Sequence, residues 1–338
     1  MTNNRGRVLV TPRSMSSPGS AAVERLRDAG YDVISPTPGR QPSPEELRAV
    51  LPGIIGWIAG VEPISADVLE TATDLRVISR NGAGNDAIDL GAAKSRGVAV
   101  VTAGGSNARG VAELALTLAF MGLRSLLPAS RSVANGGWDR TIGREAQGRT
   151  IGIVGYGAIG RTLADLTRSV GMKVLIHDPY VNDADETKVR AVTLDELLGL
   201  SDVVSLHVPA TDGRPLIGAD QLARMTTGAV LVNTARSNLV DDQAVLTALK
   251  EGRLGTYAVD AFDSEPPPIT ELICHPRVIA TPHVGAATLE SIERASQTAV
   301  THLIEALNIG ATGQLISDVI RDGIFSRRGD TTPPQPRP

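Results

Sequence analysis

The stretch Thr150-Ile151-Gly152-Ile153-Val154-Gly155-Tyr156-Gly157-Ala158-Ile159-Gly160 decides the architecture. Thr150–Val154 reads as a buried strand that runs directly into Gly-x-Gly-x-x-Gly, and residues 158–169 then read as a helix. Each glycine has a physical task. Gly155 permits the tight turn out of the strand, Gly157 has no Cβ to hold a pyrophosphate off the backbone, and Gly160 lets the new helix pack on the sheet. The helix N-terminus, with Ala158 and Ile159 in its first turn, offers free N–H groups and a partial positive charge to an anion. Lys173–His177 reads as the next strand and ends in Asp178, 21 positions after Gly157. An acid at that spacing holds the adenosine ribose hydroxyls of a dinucleotide. A carboxylate there repels the extra phosphate of NADP, and no arginine follows closely in His177-Asp178-Pro179-Tyr180-Val181-Asn182-Asp183. The expected cofactor is NAD.

Strand and helix signals alternate on both sides of this unit. Upstream, Val8–Val10 precedes an amphipathic run over Ala21–Asp28 that Gly30 stops. Tyr31–Ile34, a helical 45–51, Ile54–Ala59, Val77–Ser79 and Val98–Val101 follow, with a proline-rich loop from Pro36 to Pro44. A longer apolar helix is expected over 111–124. Downstream, strands are expected at Val203–Leu206, Val230–Asn233, Tyr257–Asp260 and Val278–Ala280, with a helix at 241–250 and a last one at 287–307. Such alternation implies parallel sheets covered by helices, and 338 residues suit two cores of ordinary size. The expected fold is therefore α/β with two doubly wound parallel-sheet domains.

Composition narrows the partners. Lysine and arginine number 33 against 37 acids, a net charge of −4, which argues against nucleic acid. The apolar run Leu114–Leu123 is shorter than the ~20 residues that cross a bilayer, and the N-terminus has no secretory apolar core, so no membrane partner is expected. Cys274 is the only cysteine, which fits a reducing, cytoplasmic setting. No metal ligand set is assigned.

Three later segments carry reactive side chains just past expected strands: Arg236 in Asn233-Thr234-Ala235-Arg236-Ser237-Asn238, Glu265 in Asp260-Ala261-Phe262-Asp263-Ser264-Glu265-Pro266-Pro267, and His283 in Thr281-Pro282-His283-Val284-Gly285. Loops beyond the carboxyl ends of parallel strands are where such sheets build sites. Together with the glycine fingerprint, Ser79-Arg80-Asn81-Gly82-Ala83-Gly84, Asn107 with Val111-Ala112-Glu113, and His207-Val208-Pro209, these segments carry a specific resemblance. From about Val77 to Leu307 the chain resembles the D-isomer-specific 2-hydroxyacid dehydrogenase family, most closely its D-3-phosphoglycerate dehydrogenase branch.

The resemblance implies a Rossmann-type NAD-binding domain over 104–287 and a flavodoxin-like substrate domain made of 1–103 and 288–322, followed by a disordered tail at 323–338. It places the active site in the cleft between the domains and implies a homodimer formed through the apolar helix and the Trp138 region. His283 would be the general acid/base, a task suited to an ordinary histidine pKa of about 6.5. Glu265 would bond the other ring nitrogen and stabilise the imidazolium. Arg236 would grip the carboxylate of a small anionic 2-hydroxy or 2-keto acid. Arg80, Asn81, Gly82, Ala83 and Asn107 are the expected substrate-binding set, with backbone N–H groups near Gly82 and Ala83 as a second carboxylate clamp. Asp260 would orient the nicotinamide amide, Arg161 would help hold the pyrophosphate, and His207, Pro209, Thr234, Ala235 and Gly285 complete the cofactor set. His207 is expected to act through its backbone.

Two departures stand out. Ser237-Asn238 replaces the glycine that usually follows the arginine, and Ala87 stands where asparagine is common. A glyoxylate or hydroxypyruvate reductase would use the same residues, and an NAD-sensing corepressor-type scaffold would keep the same fold.

Overall fold

The computed structural model describes residues 5–16, 19–181, 185, 187–210 and 213–311, with backbone alone for 310 and 311. The tail expected at 323–338 lies outside the described residues. The chain divides into two compact units, Met1–Asn107 with Leu289–Pro338, and Ala108–Thr288.

The first unit holds strands β1 (Arg7–Val10), β2 (Asp32–Ile34), β3 (Ile54–Ala59), β4 (Val77–Arg80) and β5 (Ala99–Thr102), all parallel, in the order β2-β1-β3-β4-β5. That is the flavodoxin-like doubly wound order. Because side chains alternate along a strand, Val8 and Val10 point to one face and Leu9 to the other. The first face packs against Ala299, Val300, Leu303 and Leu307 of the helix Leu289–Ala311. The second packs against Leu47, Val68 and Leu69. With both faces covered, β3 is apolar throughout and has no polar edge. A Cβ on Gly56 would stand 3.1 Å from Leu303 and Leu307, so the missing side chain is what lets that helix lie close to β3.

Two boundaries differ from the sequence reading. The last helix begins at Leu289, not 287, because Ala287 and Thr288 donate their amides to the turn carbonyls of Val284 and Ala286. The proline-rich loop ends one residue early: Pro44 is the first residue of the helix Pro44–Val50, capped reciprocally by Ser43 and Glu46.

The second unit holds β6 (Thr150–Val154), β7 (Lys173–His177), β8 (Arg190–Ala191), β9 (Val203–Leu206), β10 (Ala229–Asn233), β11 (Leu254–Val259) and β12 (Val278–Ala280). All are parallel, in the order β12-β11-β10-β9-β6-β7-β8. The chain winds outward from β6 in both directions, so the switch point lies between β6 and β9. β11 stops at Val259, which leaves Asp260 as the first residue beyond the strand. The apolar helix runs over Ala108–Leu123 and lies on β10, where a Cβ on Gly122 would meet Val230 at 2.7 Å. Among the described residues no single helix is long and apolar enough to cross a membrane.

Candidate active site

The glycine turn sits at the switch point. Gly155 takes φ +95°, and its amide donates to the His177 carbonyl at 2.9 Å. A Cβ there would meet the His207 carbonyl oxygen at 2.5 Å, and one on Gly160 would meet the Gly155 carbonyl oxygen at 2.1 Å. Both positions are closed to any larger residue. The helix Ala158–Ser169 begins after Gly157 with no side-chain cap, so no side chain claims the amides of its first turn, and Ala158 is exposed there. Asp178, directly after β7, takes the Tyr156 amide at 2.8 Å and the Tyr180 amide at 3.0 Å. The acid therefore touches the glycine turn itself. Arg161 does not point free at this turn: its guanidinium lies 4.6 Å from the centre of the Tyr156 ring.

β10, β11 and β12 are neighbours in the sheet, and the three reactive residues follow their carboxyl ends. His283 Nδ1 lies 2.7 Å from Glu265 Oε1, with both side chains about half exposed. The loop that carries His283 is built around Asp260, which is 2% exposed. Its carboxylate accepts from the Thr281 hydroxyl at 2.6 Å and from the amides of Val284 and Gly285 at 2.9 and 2.8 Å. His283 sits between these anchors at φ +52°, a left-handed conformation that is uncommon outside glycine. The Arg236 loop has a second buried anchor. Asn233 donates to the Arg236 carbonyl at 2.8 Å and accepts from the Ala235 amide at 3.1 Å, while its own carbonyl takes the Asp260 amide at 3.0 Å.

Sequence reading gave Asn233 and Thr281 no role. Asn233 turns back onto its own loop at Ala235 and Arg236, and Thr281 donates to the Asp260 carboxylate and the Val259 carbonyl, so only their position at a strand end marks them in the sequence. Asp260, the expected nicotinamide contact, also has both its oxygens engaged by the histidine loop.

In the first unit, Arg80 ends β4 and folds back over the next turn, donating to the Asn81 carbonyl at 2.5 Å. Gly82 takes φ +150°, and a Cβ there would meet the Arg80 guanidinium at 2.9 Å. Asn81 is held by its amide to the Ala59 carbonyl at 2.9 Å and by its side-chain amide to Ser14 at 3.3 Å. Ala83 is exposed beside them. Ala87 contributes backbone only, its carbonyl accepting from Ile64 at 2.8 Å.

A buried polar atom without a partner costs free energy, and native proteins leave few of them. Among the described residues four side-chain atoms are buried and unpartnered: Asn81 Oδ1, Asn107 Oδ1, His207 Nδ1 and Thr234 Oγ1. All four belong to residues singled out from the sequence. The His207 backbone is fixed by its amide to the Val154 carbonyl at 2.7 Å, and its Nε2 lies 2.9 Å from the Ser205 hydroxyl. Burial lowers the His207 pKa to about 4, so its ring is neutral near pH 7. The open helix start, the glycine turn and the orphaned His207 and Thr234 atoms fit a dinucleotide. Among the described residues no cluster of three or more His, Cys, Asp or Glu is arranged to hold a metal ion.

Residues 116–285 match the family model described as D-isomer specific 2-hydroxyacid dehydrogenase, NAD binding domain. A D-3-phosphoglycerate dehydrogenase of Archaeoglobus fulgidus is 38% identical over 277 residues, which are 80% of this chain and 52% of that protein. A hydroxypyruvate reductase of Thermotoga maritima is 34% identical over 272 residues, 78% of this chain and 89% of the relative. The chain thus spans about half the length of the first relative and most of the second. Among solved structures, the TT0316 protein of Thermus thermophilus superposes with a TM-score of 0.79 at 34% identity, covering 90% of this chain and 97% of that one.

Proposed function

The chain belongs to the D-isomer specific 2-hydroxyacid dehydrogenase family, and from that premise we propose that it is an NAD-dependent enzyme acting at C2 of a small D-2-hydroxy or 2-keto acid. The observation that carries this reading is the 2.7 Å His283–Glu265 pair, set beyond the sheet edge that also carries the Arg236 loop. Bound NAD(H) supplies or accepts the hydride. The proton belongs to the protein. With Nδ1 bonded to Glu265, His283 has Nε2 left to give a proton to the keto oxygen or take one from the hydroxyl. Glu265 fixes the ring tautomer and favours the charged ring when it forms. Arg236, its loop held by Asn233, binds the substrate carboxylate through its planar fork.

The substrate proposed first is a 3-phosphoglycerate-like acid, after the D-3-phosphoglycerate dehydrogenase that is 38% identical over 80% of this chain. A hydroxypyruvate-type reductase is the second reading, favoured by the 89% of that relative which the chain spans. We place the enzyme in the cytoplasm, where its one cysteine, exposed and unpaired Cys274, stays reduced.

The deciding assay is NADH oxidation by the purified protein with phosphohydroxypyruvate, hydroxypyruvate, glyoxylate and pyruvate. Preference for the phosphorylated acid supports the first reading, and preference for hydroxypyruvate or glyoxylate moves the protein to the second. Tight NADH binding with no turnover on any acid overturns both and points to a sensor.

A further inference from the structure

Ser237 is a departure from the glycine expected after Arg236, and its hydroxyl has a defined partner: it donates to Asp263 Oδ1. The two residues lie on different loops. Ser237 follows Arg236 beyond β10, and Asp263 lies between Asp260 and Glu265 beyond β11. We propose that the Ser237–Asp263 hydrogen bond is a positioning contact that holds the Arg236 loop and the Glu265 loop in one register, so that the substrate carboxylate and the proton-transfer pair are aligned together.

Three observations support it. The loops are already joined at their roots, where the Asp260 amide meets the Asn233 carbonyl at 3.0 Å, so a contact further out fixes their relative twist. Secondly, Asp263 has a like-charged neighbour in Asp242, whose carboxyl is raised above its ordinary range by burial first and then by Asp263 and Asp241. Two carboxylates repel each other, and a neutral O–H donor to one of them offsets that repulsion at short range. Thirdly, the backbone at Ser237 opens a short 3-10 turn, Ser237–Leu239, whose Leu239 is fully buried, so the hydroxyl is presented from an anchored segment and not from a free loop.

The inference rests on the dehydrogenase reading, and its test separates the two. Ser237→Ala and Asp263→Ala are made singly and together, with Ser237→Thr as the variant that keeps the hydroxyl. For whichever keto acid the wild type reduces, KM should rise on the order of tenfold in each single variant, with kcat changed less and NADH affinity by fluorescence unchanged. The double variant should be no worse than the worse single one, and Ser237→Thr should restore KM. Hydrogen exchange of the substrate-free protein gives a readout independent of turnover: segments 234–238 and 261–265 should exchange faster together in Ser237→Ala. Singles whose effects add, an unchanged KM, or exchange that moves in one segment alone would overturn the contact. If no acid is reduced by the wild type, the dehydrogenase reading fails, and the exchange experiment still decides the coupling of the loops.

Discussion

His283 holds a left-handed backbone, φ +52°, at a cost of order 1–3 kcal/mol for a non-glycine residue. Such a conformation persists when its surroundings over-determine it, and here the Asp260 carboxylate does so through Thr281, Val284 and Gly285. The buried acid thus shapes the loop, while Glu265 addresses the ring. Replacing His283 by Ala should lower kcat by two to four orders of magnitude, the usual contribution of a general acid/base, while NADH titration by fluorescence stays at the wild-type affinity. Retained turnover would remove His283 from the chemistry. His207 makes a different prediction, from its pKa of about 4 against 6.5 for an unfolded chain. Between those values the unfolded state carries a proton that the folded state does not. Acid therefore favours unfolding as pH falls through that window, and below about pH 4 no further loss accrues. The contribution is at most about 3 kcal/mol over the window. Thermal melts of His207→Gln should accordingly lose less stability than the wild type between pH 6.5 and 4.5, and parallel curves would show that the ring is solvated. The His283–Glu265 contact and the place of Arg236 beyond a neighbouring strand were legible because these residue types and their order carry the resemblance. Asn233 and Asp263 were not, and Ser237 stood out only as a departure without its partner, because side-chain bonds within a loop or from one loop to the next leave no periodic trace in the sequence.

At the scale of elements, the unit from β6 through the helix Ala158–Ser169 to β7 was legible to the residue. Every local signal there agrees: a buried apolar run, glycines that tolerate no side chain, and a helix start with nothing to cap it. Gly160→Ala tests that reading. Its Cβ would meet a backbone oxygen at 2.1 Å, so the helix must lift from the strand. The expected outcome is a lower melting temperature together with at least a tenfold loss of NADH affinity, since the first-turn amides move with the helix. Full affinity in a well-folded variant would show that the cofactor does not use this turn. The short helices Leu194–Leu200 and Ala219–Arg224 carry only two turns or fewer of periodic pattern, and neither was marked in the sequence. For the first of them Thr193 and Glu196 supplied a capping box that could have marked its start.

For the whole molecule, pattern could show that the last helix has an apolar face but not which sheet receives it. Gly56 marks the answer, since a Cβ there would crowd Leu303 and Leu307 at 3.1 Å and its absence lets them approach the strand. The segment that follows the apolar helix poses the opposite problem. The helix Leu126–Ala134 buries none of its residues, and Val133, Trp138 and Ile142 are 58, 79 and 97% exposed. Large apolar side chains gathered on one segment are unfavourable in water and commonly mark an interface. The occupant we propose is a second copy of this chain, since a two-fold contact would cover the same segment on both copies at once. Light scattering across a micromolar concentration series should give twice the chain mass, and Trp138→Glu should shift it toward the single chain while leaving NADH binding intact, because the glycine turn lies elsewhere in the second unit. A single-chain mass for the wild type at those concentrations would mean that these side chains serve some other contact.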